Sequence, residues 1–434
     1  MEFILSLLKA IVPRPVFLFS RPAYHALLAF LAAAYYGFPS RSLTVIGVTG
    51  TDGKTTVVHL LHDMFSSAGH PVGSLSSLRF RIGEREEPNL LKMTMPGRGR
   101  IQRFLAECRA AGCRFAVIEV TSQGVVQSRH RFILFRSAVL TNITPEHIEA
   151  HGSFAVYRAA KMELFRRLPP SGFAVLNRED PSSELFAAAT VAQRVWYSRE
   201  AIEIKRVGRP VRVLGASAER LQFEIDGAYM ATGFGGALNV SNVLAAAACA
   251  MAHGVSATAI ASALAAFRGV PGRLEHIQRA PFAVVVDYAV TPHALESVYR
   301  ALAAESQGTK TGGGKLICVL GSAGGGRDRW KRPELGKIAG EFCRHIILTS
   351  DDPDDEDPAA IAAEIQHGMA SNKSAIAEIV LDRREAIRSA LRAARPGDTV
   401  IITGMGAQPW LVVQGKRIPW DDREVVREEL AKLP

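Results

Sequence analysis

The sequence predicts an α/β protein built from two parallel-sheet units. Short apolar runs alternate with helix-length segments over most of the chain, which is typical of strands joined by covering helices. A glycine-rich turn joins the first run to a helix, and Gly269-Val270-Pro271-Gly272 interrupts the pattern midway. We therefore expect a central domain over residues 44–270, a C-terminal Rossmann-like α/β domain over 271–434, and an apolar N-terminal segment over 1–43.

The hydrophobic pattern assigns elements to each unit. The expected strands are residues 43–48, 115–120, 137–141 and 173–177 in the first unit, and 282–287, 315–320, 345–349 and 398–403 in the second. The expected helices are residues 54–68, 98–111, 154–168, 239–252, 293–304, 333–343, 358–370 and 383–394. Residues 203–235 alternate like antiparallel hairpins, and a loop rich in Gly, Thr and Lys is expected from Ser306 to Gly314.

Charge and composition restrict the classes of partner. The chain of 434 residues has a net charge of +10, which favours acidic small molecules, nucleic acid or an anionic surface. No nucleic-acid module is recognisable and aromatic residues make up only 7%, so we expect phosphorylated or carboxylated substrates and no nucleic acid. The five cysteines are odd in number and lie mostly in apolar runs, which predicts reduced core residues in a cytoplasmic protein.

The N-terminal segment is strongly apolar from residue 3 to residue 38. Its uncharged apolar stretch, Pro22 to Phe38, is 17 residues long, which is short for a membrane span. We expect a pair of helices packed on the next domain. The alternatives are a basic helix in peripheral contact with a membrane through residues 1–38, and a true span.

The most informative motif is the turn from Gly47 to Thr56, which follows a strand and opens a helix. Gly50 and Gly53 allow backbone N–H groups to surround a phosphate, Lys54 can reach the outer phosphates, and the Thr55 hydroxyl can bind Mg²⁺. Val48 stands where the usual P-loop has its first glycine, because five residues separate Gly47 from Gly53. The fold class predicted is thus α/β, with a central P-loop parallel-sheet ATPase domain.

Three further positions carry chemistry. Glu119 ends an apolar strand, where a carboxylate faces the crevice used by ligands of α/β sheets, and it is a natural Mg²⁺ ligand. His147 and His151 are spaced as a zinc pair with Glu146 or Glu149 as companions, but no third ligand is evident. Lys161 follows on a helix, and its position alone indicates no more than a surface lysine.

Together, in order and spacing, several motifs resemble the Mur ligase family over about residues 24–434. They are Gly50 to Thr56, Glu119 to Gly124, Thr141 to Gly152, Tyr157 to Lys161, Leu238 to Asn242, Gly272-Arg273, Asp287 to Ala289 with Thr291-Pro292, and Arg327-Asp328 with Lys331 to Pro333.

The resemblance implies an ATP-dependent amide ligase. An acceptor carboxylate attacks the γ-phosphate to give an acyl phosphate, and the amine of a free amino acid displaces phosphate. The implied catalytic residues are Lys54, Glu119, His147, Lys161 and Arg273. The implied ATP-binding residues are Gly50, Thr51, Asp52, Gly53, Lys54, Thr55, Thr56, Asn239, Asn242, Arg273 and Asp287. The implied Mg²⁺ ligands are Thr55, Glu119, His147 and a carbamylated Lys161.

Three departures from the family pattern bear on the substrates. About 43 residues precede the first strand, so we expect most of the family's UDP-binding domain to be absent, with its last helix retained at Tyr24 to Phe38. The family's Asp-Asn-Pro-Arg selectivity motif reads Asp351-Asp352-Pro353-Asp354, which favours a cationic amino acid such as L-lysine. The family's Gly-Lys-Gly-His-Glu reads Gly404-Met405-Gly406-Ala407-Gln408, and Val290 replaces a frequent histidine.

Several alternatives remain open at this stage. The acidic residues 351–357 form either a selectivity pocket or a solvated loop in which Asp357 caps the next helix. The acceptor is either a peptidoglycan-precursor peptide or a non-murein carboxylate of the folylpolyglutamate, poly-γ-glutamate or pseudomurein type. A third hypothesis is a non-catalytic nucleotide-binding scaffold docked at a membrane.

Overall fold

The computed structural model describes residues 14–91, 93–217, 219–307, 314–369 and 376–433. The helices are α1 (Arg14–Tyr35), α2 (Lys54–Ser67), α3 (Arg98–Ala110), α4 (Ser122–Val126), α5 (Ile148–His151), α6 (Phe154–Arg166), α7 (Ser183–Ala188), α8 (Ala237–Ala252), α9 (Ala257–Ala266), α10 (Pro292–Gln307), α11 (Lys331–Phe342), α12 (Pro358–Gly368), α13 (Arg383–Ala393) and α14 (Asp422–Leu430). The strands of the first unit are β1 (Thr44–Thr49), β2 (Val72–Leu75), β3 (Arg79–Ile82), β4 (Arg85–Pro88), β5 (Phe115–Glu119), β6 (Phe135–Leu140), β7 (Phe173–Asn177), β8 (Gln193–Tyr197), β9 (Ala201–Ile204), β10 (Val207–Ala216), β11 (Leu221–Ile225) and β12 (Ala228–Ala231). Those of the second are β13 (Glu275–Gln278), β14 (Ala283–Asp287), β15 (Leu316–Leu320), β16 (His345–Leu348), β17 (Ile376–Ile379), β18 (Thr399–Thr403), β19 (Trp410–Val413) and β20 (Lys416–Pro419).

The first sheet has the order β12-β11-β10-β9-β8-β7-β6-β1-β5-β2-β3-β4. Its six central strands, from β8 to β2, are parallel, and antiparallel hairpins extend both ends. Strand β1 lies between β5 and β6, so the loops that follow these three strands meet at one carboxyl edge. This is the position at which open α/β sheets bind ligands.

The second sheet has the order β13-β14-β18-β15-β16-β17, and all of its strands except β13 are parallel. Asp287 at the end of β14 pairs with Thr403 at the end of β18. The loops after β14, β15, β16 and β18 therefore also emerge at a single edge.

Both sheets are covered by apolar side chains on their two faces. In the first unit, one cluster packs α2, α8 and α9 on one face, and a second packs α3, α6 and α7 on the other. In the second unit, α10, α11 and α12 cover one face while α13 and α14 cover the opposite one. Strands buried on both faces explain the nearly continuous apolar runs in the sequence, such as Leu316–Leu320.

Capping side chains fix where several helices begin. Ser153, Ser256 and Asp382 each accept a backbone N–H of the first turn of α6, α9 and α13. Asp357 does the same for α12 by accepting from Ala359 N, so the predicted cap is confirmed. The predicted hairpins over 203–235 are confirmed as β9–β12, and α10 extends to Gln307, into the predicted 306–314 loop, of which residues 308–313 lie outside the described residues.

Helix α1 packs on the first unit, as expected of the N-terminal segment. Arg98 Nη2 on α3 contacts His25 Nδ1 at 2.5 Å, and Arg109 donates to the carbonyls of Tyr36 and Gly37, both at 3.2 Å. Of the predicted pair of helices, α1 is described and runs continuously through Pro22, while residues 1–13 lie outside the described residues. No helix in the described part of the chain combines the length and apolarity needed to cross a membrane.

Candidate active site

The carboxyl edges of the two sheets face each other across a cavity of about 420 Å³. The loops after β1, β5 and β6 form one wall, and the loops after β14, β15, β16 and β18 form the other. We call these the phosphate wall (the lining residues before 270) and the C-terminal wall (those after 270). A ligand in this cavity would touch both units of the chain at once.

Close packing and hydrogen bonds fix the conformation of the glycine-rich turn. Gly50 (φ 147°) and Gly53 (φ 80°) have backbone conformations that side chains rarely adopt, and a Cβ on either would collide with Thr141 Oγ1 or Asn242 Oδ1. Asp52 N donates to Asn142 Oδ1 at 2.9 Å, and Lys54 Nζ donates to the Thr51 carbonyl at 2.7 Å. The lysine thus closes the turn at the start of α2.

Beside the turn, a buried carboxylate meets a buried hydroxyl. Glu119 Oε2 accepts hydrogen bonds from Thr55 Oγ1 at 3.1 Å and from Ser77 N at 2.9 Å. Thr55 and Glu119 are both buried and line the cavity. Two oxygen atoms that can bind a metal ion, from Thr55 and Glu119, therefore lie together next to Lys54.

His147 lines the same wall and has an unusual backbone. Its φ is 55°, in the left-handed region, where it ends the loop after β6 and begins α5. Burial, followed by the charge of Lys161, lowers the pKa of His147 to about 3. The imidazole is therefore neutral at physiological pH, and this is the form that binds metals.

Lys161 is not a surface residue. It lies on α6 with 2% of its surface exposed, and its Nζ donates to the Gly50 carbonyl at 2.6 Å. Burial and the nearby Lys54 lower its pKa well below the ordinary value of a lysine. Its hydrogen bond to Gly50 supports the glycine-rich turn, and its side chain does not line the cavity.

The other predicted ATP contacts also line the cavity. Asn242 Nδ2 donates to Asn239 Oδ1 at 2.9 Å at the start of α8, and the Arg273 guanidinium lies 4.1 Å from the centre of the Tyr288 ring. Asp287 accepts from Leu274 N at 2.6 Å, and burial raises its pKa to about 6. Thr51 and Thr56 are buried beside the turn.

Hydrogen bonds and an ion pair join the two units around the cavity. Thr291 Oγ1 donates to both carboxylate oxygens of Asp52 at 3.2 Å, and His293 Nδ1 lies 3.3 Å from one of them. Lys331 Nζ pairs with Glu146 Oε1 at 3.0 Å, and both side chains are buried. A residue of the glycine-rich turn is thereby tied directly to the C-terminal unit.

The C-terminal wall contains two of the three predicted selectivity residues. Asp351 and Asp352 line it, whereas Asp354 does not; its backbone bonds with Val412 and Gln414 instead. Met405 and Gln408 occupy the loop after β18. Ser322 is buried in the loop after β15, and its hydroxyl has no hydrogen-bond partner among the described residues.

Some of these residues carry no signal that sequence reasoning could have used. Ser322 is an ordinary serine in a glycine-rich loop, and the Glu146–Lys331 pair joins residues that lie far apart in the chain. Asp328, which belongs to a quoted motif without an assigned role, accepts from Ile148 N at 3.2 Å and Glu149 N at 3.0 Å and so caps α5 from the other unit. Within the described ranges no cluster of three or more His, Cys, Asp or Glu side chains could hold a metal, so the histidine pair forms no zinc site there.

This combination of a P-loop sheet and a second α/β unit that closes over it defines a class of nucleotide-dependent enzymes. The Mur ligase middle domain matches residues 48–250, and the Mur ligase, glutamate ligase domain matches residues 272–406. A UDP-N-acetylmuramoyl-L-alanyl-D-glutamate–2,6-diaminopimelate ligase of Syntrophomonas wolfei is 37% identical and aligns over 95% of this chain and 83% of its own length. A UDP-N-acetylmuramyl-tripeptide synthetase of a Roseiflexus species is 38% identical, with the same coverages of 95% and 83%.

Among solved structures, that of a UDP-N-acetylmuramoyl-L-alanyl-D-glutamate–2,6-diaminopimelate ligase matches with a TM-score of 0.60 and 28% identity, over 95% of this chain and 82% of that one. The chain belongs to the Mur ligase family. It is an ATP-dependent ligase that forms an amide bond, and the predicted family and fold class are confirmed.

Proposed function

We propose that this ligase joins an amino acid with a cationic side chain, L-lysine, to a carboxylate of a peptidoglycan-precursor peptide through an acyl phosphate. The observation that carries the proposal is the meeting of both units in one cavity, with phosphate-binding groups on one wall and Asp351 and Asp352 on the other. We also retain the proposed division of the chain at 43/44 and 270/271.

The phosphate wall would bind ATP. The N–H groups of Thr51 and Asp52 already donate to Asn142, so Gly53 and the N-terminus of α2 would offer N–H groups to the phosphates. Lys54 would supply a positive charge to the γ-phosphate. Asn242 lies against Gly53 and bonds to Asn239, and we propose that both contact the nucleotide, with Arg273 and Asp287 lining the cavity from the other unit. The Asp52–Thr291 contact would hold the two walls together around the nucleotide.

The donor set fits Mg²⁺. Thr55 and Glu119 would hold one ion, and His147 with a carbamylated Lys161 would position a second. Mg²⁺ takes few protein ligands and completes its shell with phosphate oxygens and water, so no larger protein cluster is needed. When bound, the ion neutralises charge on the transferring phosphoryl group.

Carbamylation of Lys161 follows from its environment. The neutral amine attacks CO₂, a C–N bond forms, one proton is released, and the product is a carbamate anion. A lowered pKa increases the neutral fraction of the amine at physiological pH, and the neighbouring Lys54 would balance the new negative charge. A carbamate also offers oxygen atoms where the amine has none.

In the first chemical step, an acceptor carboxylate oxygen attacks the γ-phosphorus and ADP leaves. In the second, the amine nitrogen attacks the acyl carbon, inorganic phosphate leaves, and the amine loses a proton. Both steps accumulate negative charge, which Lys54 and Arg273 are placed to stabilise. Asp351 and Asp352 would attract the cationic amino acid to the opposite wall.

The relatives' names support a peptidoglycan-precursor acceptor, since they describe ligases of UDP-N-acetylmuramoyl peptides. We further propose a cytoplasmic location, because the five cysteines are buried and free.

Mass spectrometry of ATP-dependent products tests the proposal. The protein is incubated with ATP and a panel of acceptors, including UDP-N-acetylmuramoyl dipeptide and a folate glutamate, each with lysine, diaminopimelate or glutamate. We expect a product from the muramoyl peptide and lysine. Preferred coupling of diaminopimelate would contradict the lysine assignment, and coupling only to a folate would contradict the acceptor.

A further inference from the structure

We infer that the outer face of α1, together with the adjoining segment 131–136 at the start of β6, docks on an anionic membrane surface. This inference concerns a region outside the cavity and does not rest on the proposed function. It keeps the packing of α1 on the first unit and adds the peripheral membrane contact that the apolar N-terminal sequence left open.

The outer face of α1 has no partner in the described part of the chain. Ala29 and Ala33 are buried against the first unit, whereas Leu27 (56% exposed), Phe30 and Leu31 (52% exposed) project from the opposite side of the helix. Tyr35 extends the same face and is 83% exposed. A helix with three turns of outward apolar residues is unusual on a protein surface and marks an interaction site.

The loop before β6 continues this apolar face. Phe132 and Leu134 are exposed, and the rings of Phe30 and Phe132 lie 5.4 Å apart. Phe132 has a φ of 60°, a strained conformation for a bulky residue, and Leu134 N donates to Ser40 Oγ at 3.1 Å. The loop beside α1 thus carries two exposed apolar side chains, and the hydrogen bond to Ser40 fixes the backbone at one of them.

The chain segments that supply this face carry charge of one sign. Residues 3–51 and 120–145, which supply the face, contain no Asp or Glu, whereas they contain arginines on both sides of the apolar side chains. No carboxylate pairs with Arg41, Arg131 or Arg136 among the described residues. An apolar face with a basic rim is the pattern of a helix that lies in the interface of an anionic bilayer.

The same charges disfavour a second copy of the chain as the occupant. A twofold contact through this face would bring equal rims of arginines against each other, and like charges across an interface are repulsive. Phospholipid headgroups instead supply the missing negative charge.

Vesicle flotation of the full-length protein tests the inference. Phosphatidylcholine vesicles with and without about 30% phosphatidylglycerol are compared for the wild type, Leu27→Glu/Leu31→Glu and the control Val191→Glu/Val207→Glu. The control adds the same charge at two exposed valines away from α1. We expect the wild type and control to prefer anionic vesicles by at least about tenfold, and the α1 variant to lose this preference while its melting temperature stays unchanged.

Arg131→Gln/Arg136→Gln should weaken the association and reduce its dependence on salt. The inference is overturned if the wild type ignores anionic vesicles, as it would if residues 1–13 covered the face, or if the α1 variant binds them as well as the control. A concentration-dependent dimer that the α1 variant abolishes, without any vesicle binding, would assign the face to self-association instead.

Discussion

The glycine-rich turn on the phosphate wall and the loop after β15 on the C-terminal wall differ in how far their polar groups are hydrogen-bonded within the protein. Around the turn, Glu119 accepts from Thr55 and Ser77, Lys54 donates to Thr51, and Lys161 donates to Gly50. In the loop after β15, the Ser322 hydroxyl is buried without a partner among the described residues.

We infer from this difference that the turn serves the chemistry common to all acceptors, whereas the loop after β15 contributes to substrate specificity. The groups around the turn are already bonded to one another and are thus preorganised for charge that develops in the transition state, so one arrangement can serve any acceptor. A substrate that bonds to Ser322 would complete the loop after β15, so we expect this loop to discriminate among substrates. The following predictions test this contrast, from the largest effect to the smallest.

Lys54→Ala should reduce the rate of ATP-dependent coupling by about 10³-fold, because in the proposed mechanism its ammonium group stabilises the charge of the transferring phosphoryl group. ADP release in the presence of all substrates measures the loss. Lys416→Ala, a change at an exposed lysine of β20, serves as the control and should retain full activity. A Lys54→Ala rate within tenfold of the control would remove this residue from the chemistry.

Lys161→Ala should reduce the rate by about 10²-fold through lost support of the metal site. Added acetate or another short-chain carboxylate should partly restore the rate, because it can occupy the place of the carbamate. Restoration separates this role from simple structural damage. Full activity of Lys161→Ala without added carboxylate would exclude the residue from the site.

The first unit should be sensitive to acid, because it contains five buried or half-buried histidines whose folded-state pKa lies far below the unfolded value. Burial lowers the pKa of His59 well below its ordinary value. Burial lowers the pKa of His62 and His147 to about 3 and that of His130 and His253 to about 4. A depressed pKa gives stability that is complete above about pH 6.5 and is lost as the pH falls toward the folded value. At pH 5 each such histidine should cost about 2 kcal/mol.

Calorimetric unfolding between pH 8 and pH 5 measures this loss. His130→Leu should reduce the pH dependence, since both ring nitrogens of His130 are buried without a partner, and His367→Leu at an exposed site should leave it unchanged. Equal pH dependence in both variants and the wild type would show that His130 gains its proton without cost.

Ser322→Ala should raise the KM for the amino acid by about 3–10-fold, the value of one hydrogen bond, with the KM for ATP unchanged. Asp354→Asn, outside the cavity, should change neither constant and is the matched control. If Asp354→Asn changes amino-acid preference more than Ser322→Ala does, the selectivity determinant lies in the 354–357 loop instead.

The sequence predicts the residues that local pattern places, but not the roles that depend on packing between distant parts of the chain. Gly50, Gly53, Lys54 and Glu119 occupy fixed positions at strand ends, so local pattern places them at one edge of a sheet. The role of Lys161 depends on its burial under Gly50, and the contacts of Asp52 with Thr291 depend on how two distant units pack. Asp351 to Asp354 are adjacent in sequence, yet the chain turns between them, at Asp352 (φ 46°) and Asp354 (φ 54°), so that only the first two face the cavity.

The most direct test of the account is the release of phosphate from ATP by the wild-type protein, measured with UDP-N-acetylmuramoyl dipeptide alone, lysine alone, and both together. A cavity that needs both walls filled predicts rapid phosphate release only when both substrates are present. Rapid release with ATP alone, or the same rate with and without the amino acid, would contradict the claim that the two walls act as one ligase site.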